Sequence, residues 1–445
     1  MRLPSLWRIV VVVLAAVALF LVAGLGVGQS LGRTQPLGAG GRPPGAPNAV
    51  PAGGDQLGKA IVGVQNHLRA KPDDAAALAT LGLDYVQQAK ITVDPSYYPK
   101  AQGVLDRSLQ LQPTENFLAD AGQAALTAAR HDFLAARGWA QRGLAIDPYN
   151  GALYGSLDDA ETQLGEYPQA FAAVQKMLDV RPGTPAFTRA EYVFELRGQI
   201  AQARAAMQQA LNDAASPADE AFAHYYLAQL SFDNGDPAAA LTENGVGLRV
   251  DPSYPALIEG RAKAEAALGQ TDAALRDYAV IVARVPQPTY VLDYGELLQS
   301  LGRTAEAKAQ YTVFDAETRL FTANGVAQDV DPTMFAANHG DPANALRIAQ
   351  VGIRIRPFLE MDDAYAWALH VNHLDSQALG WATKALALGT RNALFHYHRG
   401  MIELALANKA AARSELTTAL AINPHFNPLF VPQARATLRT LGGAG

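Results

Sequence analysis

Apolar residues recur at helical spacing along most of this chain, in pairs of segments joined by short turns. In residues 393–424, Leu394 and Tyr397 share a face of the first segment, and Leu416 lies on the apolar face of the second. Pro424 ends the second segment, because proline cannot continue a helix interior. A single pair of amphipathic helices cannot bury both apolar faces. The pattern therefore predicts further copies stacked on either side.

A small residue recurs at the same place in ten such pairs, early in the second helix, where paired helices touch. The members of this ladder are Ala101, Ala136, Ala170, Ala203, Ala240, Ala274, Ala307, Ala345, Ala378 and Ala412. Glycine, which suits a sharp turn, stands five residues before six of them, at Gly165, Gly198, Gly235, Gly269, Gly302 and Gly340. Proline follows seven of them by twelve residues, at Pro113, Pro148, Pro182, Pro252, Pro286, Pro357 and Pro424.

This period of about 34 residues, with its punctuation, resembles the tetratricopeptide repeat (TPR) family. Matching segments include LGEYPQAFAAVQKMLDVRP (164–182) and NGDPAAALTENGVGLRVDP (234–252), and the resemblance covers about 58–441. It implies an all-α superhelical solenoid of about ten helix–turn–helix repeats with a capping helix at each end. The order of blocks such as FTANGV (321–326) and NHGDPANAL (338–346) also resembles exported, membrane-anchored bacterial multi-TPR proteins.

The N-terminal part differs in composition from the array. Residues 1–28 predict a signal-anchor or a signal peptide, since 9–28 carry no charge and a helix of that length, at about 1.5 Å per residue, spans a bilayer core of roughly 30 Å. Residues 29–56 are rich in Gly, Pro and Ala and predict a disordered linker. We therefore expect membrane anchoring through the N-terminal helix with the array on the extracytoplasmic side, or secretion if the segment is cleaved.

The helical part divides into three ranges. Residues 57–72 predict an N-terminal capping helix, 73–424 the TPR array, and 425–445 a C-terminal capping helix and tail. Two places break the period. Extra residues at 91–101 lengthen the turn of the first unit. Within 316–340 the second helix of unit seven runs on and the first helix of unit eight starts late.

Composition narrows the function classes. With 36 Lys plus Arg against 42 Asp plus Glu, the chain carries a formal charge of −6, which does not favour a nucleic-acid partner. There is no cysteine, so disulfides, thiolate chemistry and lipid attachment at a cysteine are excluded.

Histidines and acidic pairs raise the question of metal or catalytic sites. His370 and His373 are predicted to share a helix face, with His396 and His398 further along, but packing explains them better than a zinc site of three or four ligands. The segment 329–331 is too short for a calcium loop and predicts a helix cap instead. We expect no metal and no cofactor.

No catalytic motif is present in the chain: the sequence lacks the nucleophile elbow, phosphate loop and HExxH patterns. The pairs Asp158–Asp159, Asp219–Glu220 and Asp362–Asp363 are predicted to lie at helix starts or on helix surfaces, as capping and solvated groups. The sequence therefore predicts a protein that is not an enzyme.

The TPR resemblance implies that a protein or peptide partner binds in the concave groove formed by the first helices. The candidate partner-binding residues carried over from the family pattern are Tyr192, Glu195, Tyr225, Gln229, Glu259, Lys263, Glu296 and Gln299. Exposed tyrosines among polar groups suit such a site. The carboxylate clamp of TPR chaperone binders is absent, because Ala79 and Leu83 stand at its positions in the first unit.

Two other functions stay open at this stage. One is a cytosol-facing adaptor anchored by its N-terminus, and the other is a non-catalytic subunit of an envelope enzyme complex. The oligomeric state is not indicated by the sequence.

Overall fold

The computed structural model describes residues 52–442, and every regular element in that range is an α-helix. The first helix and the last one cap ten two-helix hairpins, which we number as units 1 to 10. The helices are α1 (Ala52–Ala70), α2 (Ala75–Thr92), α3 (Tyr97–Leu111), α4 (Phe117–Ala129), α5 (Phe133–Ile146), α6 (Gly151–Gln163), α7 (Tyr167–Val180), α8 (Thr184–Leu196), α9 (Ile200–Asn212), α10 (Pro217–Asp233), α11 (Pro237–Val250), α12 (Pro255–Ala267), α13 (Thr271–Arg284), α14 (Pro288–Ser300), α15 (Thr304–Ala323), α16 (Val330–Asn338), α17 (Pro342–Ile355), α18 (Leu359–Val371), α19 (Asp375–Ala385), α20 (Ala393–Ala405), α21 (Lys409–Ile422) and α22 (Phe430–Thr440).

The all-α solenoid predicted from the sequence is confirmed, and the alanine ladder explains its packing. All ten ladder alanines are buried, nine of them with no exposed surface and Ala307 with 1%. Each lies near the start of the second helix of its unit, where a larger side chain would separate the paired helices. The small side chain therefore sets the close approach that every hairpin repeats.

In nine of the ten hairpins the turn has a left-handed residue five positions before the ladder alanine, whereas unit 1 has Val93 (φ 53°), eight positions before Ala101, in that conformation. The six predicted glycines all have positive φ, between 66° and 94°. Three units place a larger residue there in the same conformation: His131 (φ 62°), His373 (φ 60°) and Ala407 (φ 64°). The prediction that His370 and His373 share a helix face is therefore wrong, because His373 belongs to the turn after α18.

The irregularity between units 7 and 8 is as expected. Helix α15 runs on to Ala323 and is followed by Gly325, which has a φ of 88°. Helix α16 begins only at Val330, and the Asp329 carboxylate caps it by accepting a hydrogen bond from the Val330 N–H at 2.7 Å.

The array winds through more than one superhelical turn, so that units five apart along the chain touch. We call this line of contact the seam. At the seam the turn of unit n lies against the loop that follows the second helix of unit n+5. The paired positions are Arg130 with Ala327, Gly165 with Pro357, Gly198 with Gly389 and Gly235 with Ile422.

Polar groups join the two sides of the seam. The contacts are Ala327 N–H to the Arg130 carbonyl at 3.2 Å, Arg356 Nε to Gln163 Oε1 at 2.6 Å, Leu359 N–H to the Tyr167 hydroxyl at 2.8 Å, and Asn423 Nδ2 to the Phe232 carbonyl at 2.9 Å. Backbone groups take part in three of these four bonds. Consequently the contact between the two superhelical turns depends on backbone conformation as much as on side chains.

The first and last helices of the described range can be compared with the predicted domain boundaries. Helix α1 spans Ala52–Ala70, so it begins inside the range assigned to the linker, and α22 closes the array. The predicted apolar segment 9–28 and most of the linker lie outside the described residues. Among residues 52–442, none of the helices has the length and apolar character needed to cross a membrane.

Candidate functional site

The first helices of the units form the concave surface of the array, which we call the inner wall. Its two superhelical turns face each other: the Tyr192 hydroxyl on α8 donates a hydrogen bond at 3.0 Å to Glu360 Oε1 on α18, 168 residues away in sequence. Residues from units 4 and 9 therefore contribute to one surface.

Units 5 and 6 bring four of the predicted residues together. Tyr225 and Gln229 on α10, with Glu259 and Lys263 on α12, line a small cavity of about 50 Å³. Asp233, one helical turn beyond Gln229, completes its rim. A space of this size admits the end of one polar side chain or one or two water molecules.

Lys263 is the cation of this cavity, and two carboxylates share it. Its ammonium lies 2.9 Å from Glu259 Oε1 and 2.8 Å from Asp293 Oδ2. Burial opposes the charge on Lys263, but Asp293 and Glu259 outweigh it and raise the lysine pKa well above its usual range. Because one ammonium cannot neutralise two carboxylates, burial and Asp293 raise the pKa of Glu259 to about 7.

A second group of acids extends along the inner wall from unit 4. Glu191, Glu195, Asp233 and Glu360 form this carboxylate cluster. Burial, with the charges of Glu195 and Asp233, raises the pKa of Glu191 to about 9. Burial, with Asp233 and Glu360, raises the pKa of Glu195 to about 8. The Asp233 pKa rises to about 6 through burial, partly offset by Lys263. The cluster is thus short of positive charge.

Glu191 shows the shortage of positive charge in the carboxylate cluster most clearly. It is only 2% exposed, and within residues 57–442 its carboxylate has no hydrogen-bond or ion-pair partner. Of the four acids, Glu360 contributes the oxygen atom, Oε2, that is fully buried without a hydrogen bond. Buried acceptors without donors are costly and uncommon in folded proteins. Hydrogen-bond donors supplied by another molecule would therefore make favourable contacts with this part of the inner wall.

The two candidate residues of unit 7, Glu296 and Gln299, do not join this surface, although Asp293 of the same helix does. Glu296 is 5% exposed, and its Oε2 accepts a hydrogen bond at 2.7 Å from Asn427, which follows the last hairpin. Gln299 is exposed, and its Oε1 accepts a hydrogen bond at 2.7 Å from the Tyr311 hydroxyl. The structure therefore brings six of the eight predicted residues to the wall of units 4 to 6 and places Glu296 and Gln299 elsewhere.

Two sequence interpretations of these residues need correction. Tyr192 and Tyr225 are half-buried instead of exposed, because the second superhelical turn and neighbouring helices cover them. Asp158, Asp362 and Asp363 are not solvated groups: they are 6%, 2% and 3% exposed. Each is compensated by a specific partner. The pairs are Asp158 with Arg189 at 3.6 Å, Asp362 with Lys384 at 2.8 Å and Asp363 with His398 at 2.8 Å.

Three of the four histidines considered for a metal site, His370, His396 and His398, are paired with carboxylates. His370 contacts Asp375 at 2.5 Å, and His396 contacts Glu415 at 2.6 Å. In the part of the chain that the structure describes, no group of three or more His, Asp or Glu side chains is placed to hold a metal ion.

Sequence reasoning missed three residues of the cluster. Glu191 precedes Glu195 by four residues and Asp233 follows Gln229 by four, so helical spacing alone would have found both. Glu360 carried no such signal, because it reaches the wall only through the seam.

The geometry defines an α-solenoid, in which stacked helical hairpins bury a continuous core. Its hairpins have a period near 34 residues, a buried small residue at the helix crossing and a left-handed turn. The chain therefore has the tetratricopeptide-repeat fold.

Comparisons with known proteins concern this fold only. No protein-family model and no curated protein matches the chain. A thermophilic TPR protein from Thermus thermophilus is similar at 21% identity, over 43% of this chain and 98% of that one, with a TM-score of 0.37. PilW, a type IV pilus biogenesis factor, is similar at 18% identity, over 50% of this chain and 97% of its own, with a TM-score of 0.38. The human IFIT1 dimer with m7Gppp-AAAA is similar at 13% identity, over 74% and 76% of the two chains, with a TM-score of 0.47.

Proposed function

We propose that this protein is a non-enzymatic scaffold that binds a basic segment of a protein partner on its inner wall. The observation that carries the proposal is the carboxylate cluster, in which Glu360 Oε2 is fully buried without a hydrogen bond and Glu191, 2% exposed, has no ion-pair partner among the described residues. Arginine or lysine side chains of a partner would supply the missing donors and charge, and charge-assisted hydrogen bonds are the strong ones.

A polypeptide fits this wall better than a single small cation does. The acids extend from Glu191 in unit 4 to Glu259 in unit 6, and Tyr192, Tyr225 and Tyr226 lie among them. Tyrosine offers a large contact area at low entropic cost and a ring face for a guanidinium. An extended segment with basic residues at intervals would meet both features.

Binding is tested with the full-length chain and two short peptides, one of alternating arginine and alanine and one of alternating glutamate and alanine. We expect the basic peptide to bind and the acidic one not to bind. Glu195→Gln with Asp233→Asn should weaken binding at least about tenfold. The matched control is Asp272→Asn with Asp315→Asn, which removes the same charge from exposed positions and should change little. Equal affinity of both peptides, or equal loss in both double variants, would contradict the proposal.

The proposal includes the location of the scaffold. The uncharged run 9–28 supports membrane tethering with the array on the extracytoplasmic side, or secretion if the run is cleaved. Protease added to cells stripped of outer layers should digest the array and leave the first eight residues protected. An array that survives until the membrane is lysed would instead support the cytosol-facing adaptor.

A further inference from the structure

The seam leaves two edges of the array without a partner among residues 52–442. It uses the turns of units 2 to 5 and the loops that follow units 7 to 10. The turns of units 6 to 10, which we call the turn edge, and the loops that follow units 1 to 5, which we call the loop edge, stay outside it. A Cβ added at Gly269, Gly302 or Gly340 on the turn edge meets no described atom within 4 Å.

The turn edge exposes apolar side chains that the seam covers elsewhere. Leu164 precedes the turn glycine of unit 3 and is half-buried. Leu268 and Leu301 hold the same position in units 6 and 7 and are 40% and 41% exposed. Exposed apolar groups that recur at equivalent positions indicate a contact surface.

The loop edge has the backbone conformation of the loops inside the seam. Arg356, which ends α17 at the seam, has φ −146° and ψ 68°. Gln112 (−133°, 84°) and Asp147 (−122°, 85°) end α3 and α5 in nearly the same way. Phe358, directly after the proline of the seam loop, is 4% exposed, whereas Tyr149, directly after the proline that follows α5, is 80% exposed. The loop edge therefore presents to solvent what the seam buries.

Helix α1 is a second helix without a first helix. Ala60 holds the ladder position in it, since a proline follows by twelve residues as in seven of the units. In complete units the residues four and seven positions further on also face the first helix, as Leu416 and Ala419 do with no exposed surface. In α1 the ladder residue Ala60 and His67 are exposed and Val64 is half-buried.

Helix α22 is a first helix for which no second helix lies within the described residues. Leu438 packs against unit 10 as Ile402 of α20 packs against unit 9. Ala436 therefore corresponds to Gly400, whose added Cβ would lie 2.9 Å from Leu416 of its own second helix. Because Ala436 is exposed, the crossing position of α22 is small and unoccupied by any described residue.

We propose that a second copy of this chain docks head to tail, with its α1 packed on α22 of the first copy to complete an eleventh hairpin. The facing positions, Ala60 and Val64 on α1 and Ala436 and Thr440 on α22, are uncharged, so their burial leaves no ionic group unpaired. This contact uses one surface of each copy and leaves the other free, so that copies add in series.

The same docking continues the seam from one copy to the next. With units five apart in contact, the turn of unit 7 meets the loop after unit 1 of the second copy, and the turn of unit 8 meets the loop that carries Tyr149. Units 9 and 10 have His373 and Ala407 at the turn position, and the seam accepts a side chain there, since His131 holds it in unit 2. Docking at these edges is independent of partner binding on the inner wall.

The test is sedimentation velocity of the full-length chain at increasing concentration. We expect the sedimentation coefficient to rise steadily, because each added copy leaves a free edge. Ala60→Trp fills the open face of α1, and Leu268→Glu with Leu301→Glu places charge on the turn edge. Each of these two altered proteins should associate at least about tenfold more weakly.

Matched controls make the same changes at exposed positions of second helices away from both edges. Ala205→Trp on α9 corresponds to the α1 variant, and Val280→Glu with Val313→Glu on α13 and α15 corresponds to the turn-edge variant. Both controls should associate as the unaltered chain does.

Mixing the two altered proteins distinguishes head-to-tail docking from a symmetric dimer. Each keeps one intact surface, so an equimolar mixture should form a 1:1 complex that does not grow further. A single-chain species at every concentration, association that stops at a dimer, or a mixture that stays unassociated would each overturn the proposal. So would association that persists in both altered proteins, which would assign it to residues 1–51.

Discussion

Replacing Gly165 by alanine tests whether the seam stabilises the array. Gly165 has a φ of 70°, and an added Cβ would lie 2.5 Å from the Pro357 carbonyl oxygen of unit 8. Gly269 holds the same turn position in unit 6 with a φ of 75°, but an added Cβ there meets no atom within 4 Å. The two substitutions therefore share the backbone strain and differ in the seam contact.

The two costs can be separated by magnitude. Alanine in the left-handed region costs about 1–2 kcal/mol, and this applies to both variants. Overpacking at Gly165 adds about 1–3 kcal/mol. The Pro357 carbonyl cannot yield freely, because the neighbouring Arg356 and Leu359 are bonded across the seam to Gln163 and Tyr167. We expect Gly165→Ala to lower the free energy of unfolding by about 1–3 kcal/mol more than Gly269→Ala.

Urea unfolding measures the difference, and amide hydrogen exchange locates it. Exchange in Gly165→Ala should rise on both sides of the seam, near Gln163 and near Leu359, although these two positions are far apart along the chain. Exchange in Gly269→Ala should rise only near its own turn. Equal destabilisation by the two variants, or faster exchange confined to unit 3, would refute a stabilising seam.

Two further predictions concern the core and the inner wall. Ala240→Trp should lower the free energy of unfolding by several kcal/mol, because it overpacks a ladder position with no exposed surface. Ala238→Trp, at an exposed position of the same helix, should change it little. Urea unfolding measures both variants, and a similar loss in both would argue against a packing role for the ladder. Glu191→Gln should stabilise the protein in a pH-dependent way. The Glu191 pKa is about 9 in the folded protein against an ordinary 4.5, so the folded state binds the proton more tightly, and stability is lost as pH rises through the interval between these values. The variant cannot ionise, and its advantage in urea unfolding should therefore be absent near pH 4 and grow towards pH 9; an advantage independent of pH would contradict the assignment. The same variant should bind the basic peptide more weakly, a combination that a purely structural residue would not give.

Local structure followed from the sequence because its causes are local. The crossing of two helices requires a small residue, and Ala240 or Ala412 recurs at that place whatever surrounds it. The sharp turn requires positive φ, and Gly235 supplies it without strain. The late start of α16 was also readable, since Asp329 is a good cap and Pro332 is tolerated only in a first turn.

The seam and the carboxylate cluster could not be read in this way. The number of units in one superhelical turn depends on a small rotation between neighbours, summed over several units, and no single residue encodes it. Burial of Tyr192 and the contribution of Glu360 to its surroundings both depend on that sum. Asp158 was misassigned as a capping or solvated group for a related reason: its partner Arg189 lies in the next unit.

Because units five apart touch across the seam, each such unit has contacts in two directions: with its neighbours along the chain and with a unit of the next superhelical turn. In an open solenoid each repeat has neighbours only before and after it, and local melting need not spread. Here a hairpin such as unit 3 also rests on unit 8, so a fluctuation in one is resisted by the other. Loss or gain of one hairpin between them would misalign every later pairing at once, whereas growth at either end would preserve the match. We therefore expect lineages of this protein to vary in length at the termini and to keep the spacing of the middle units fixed.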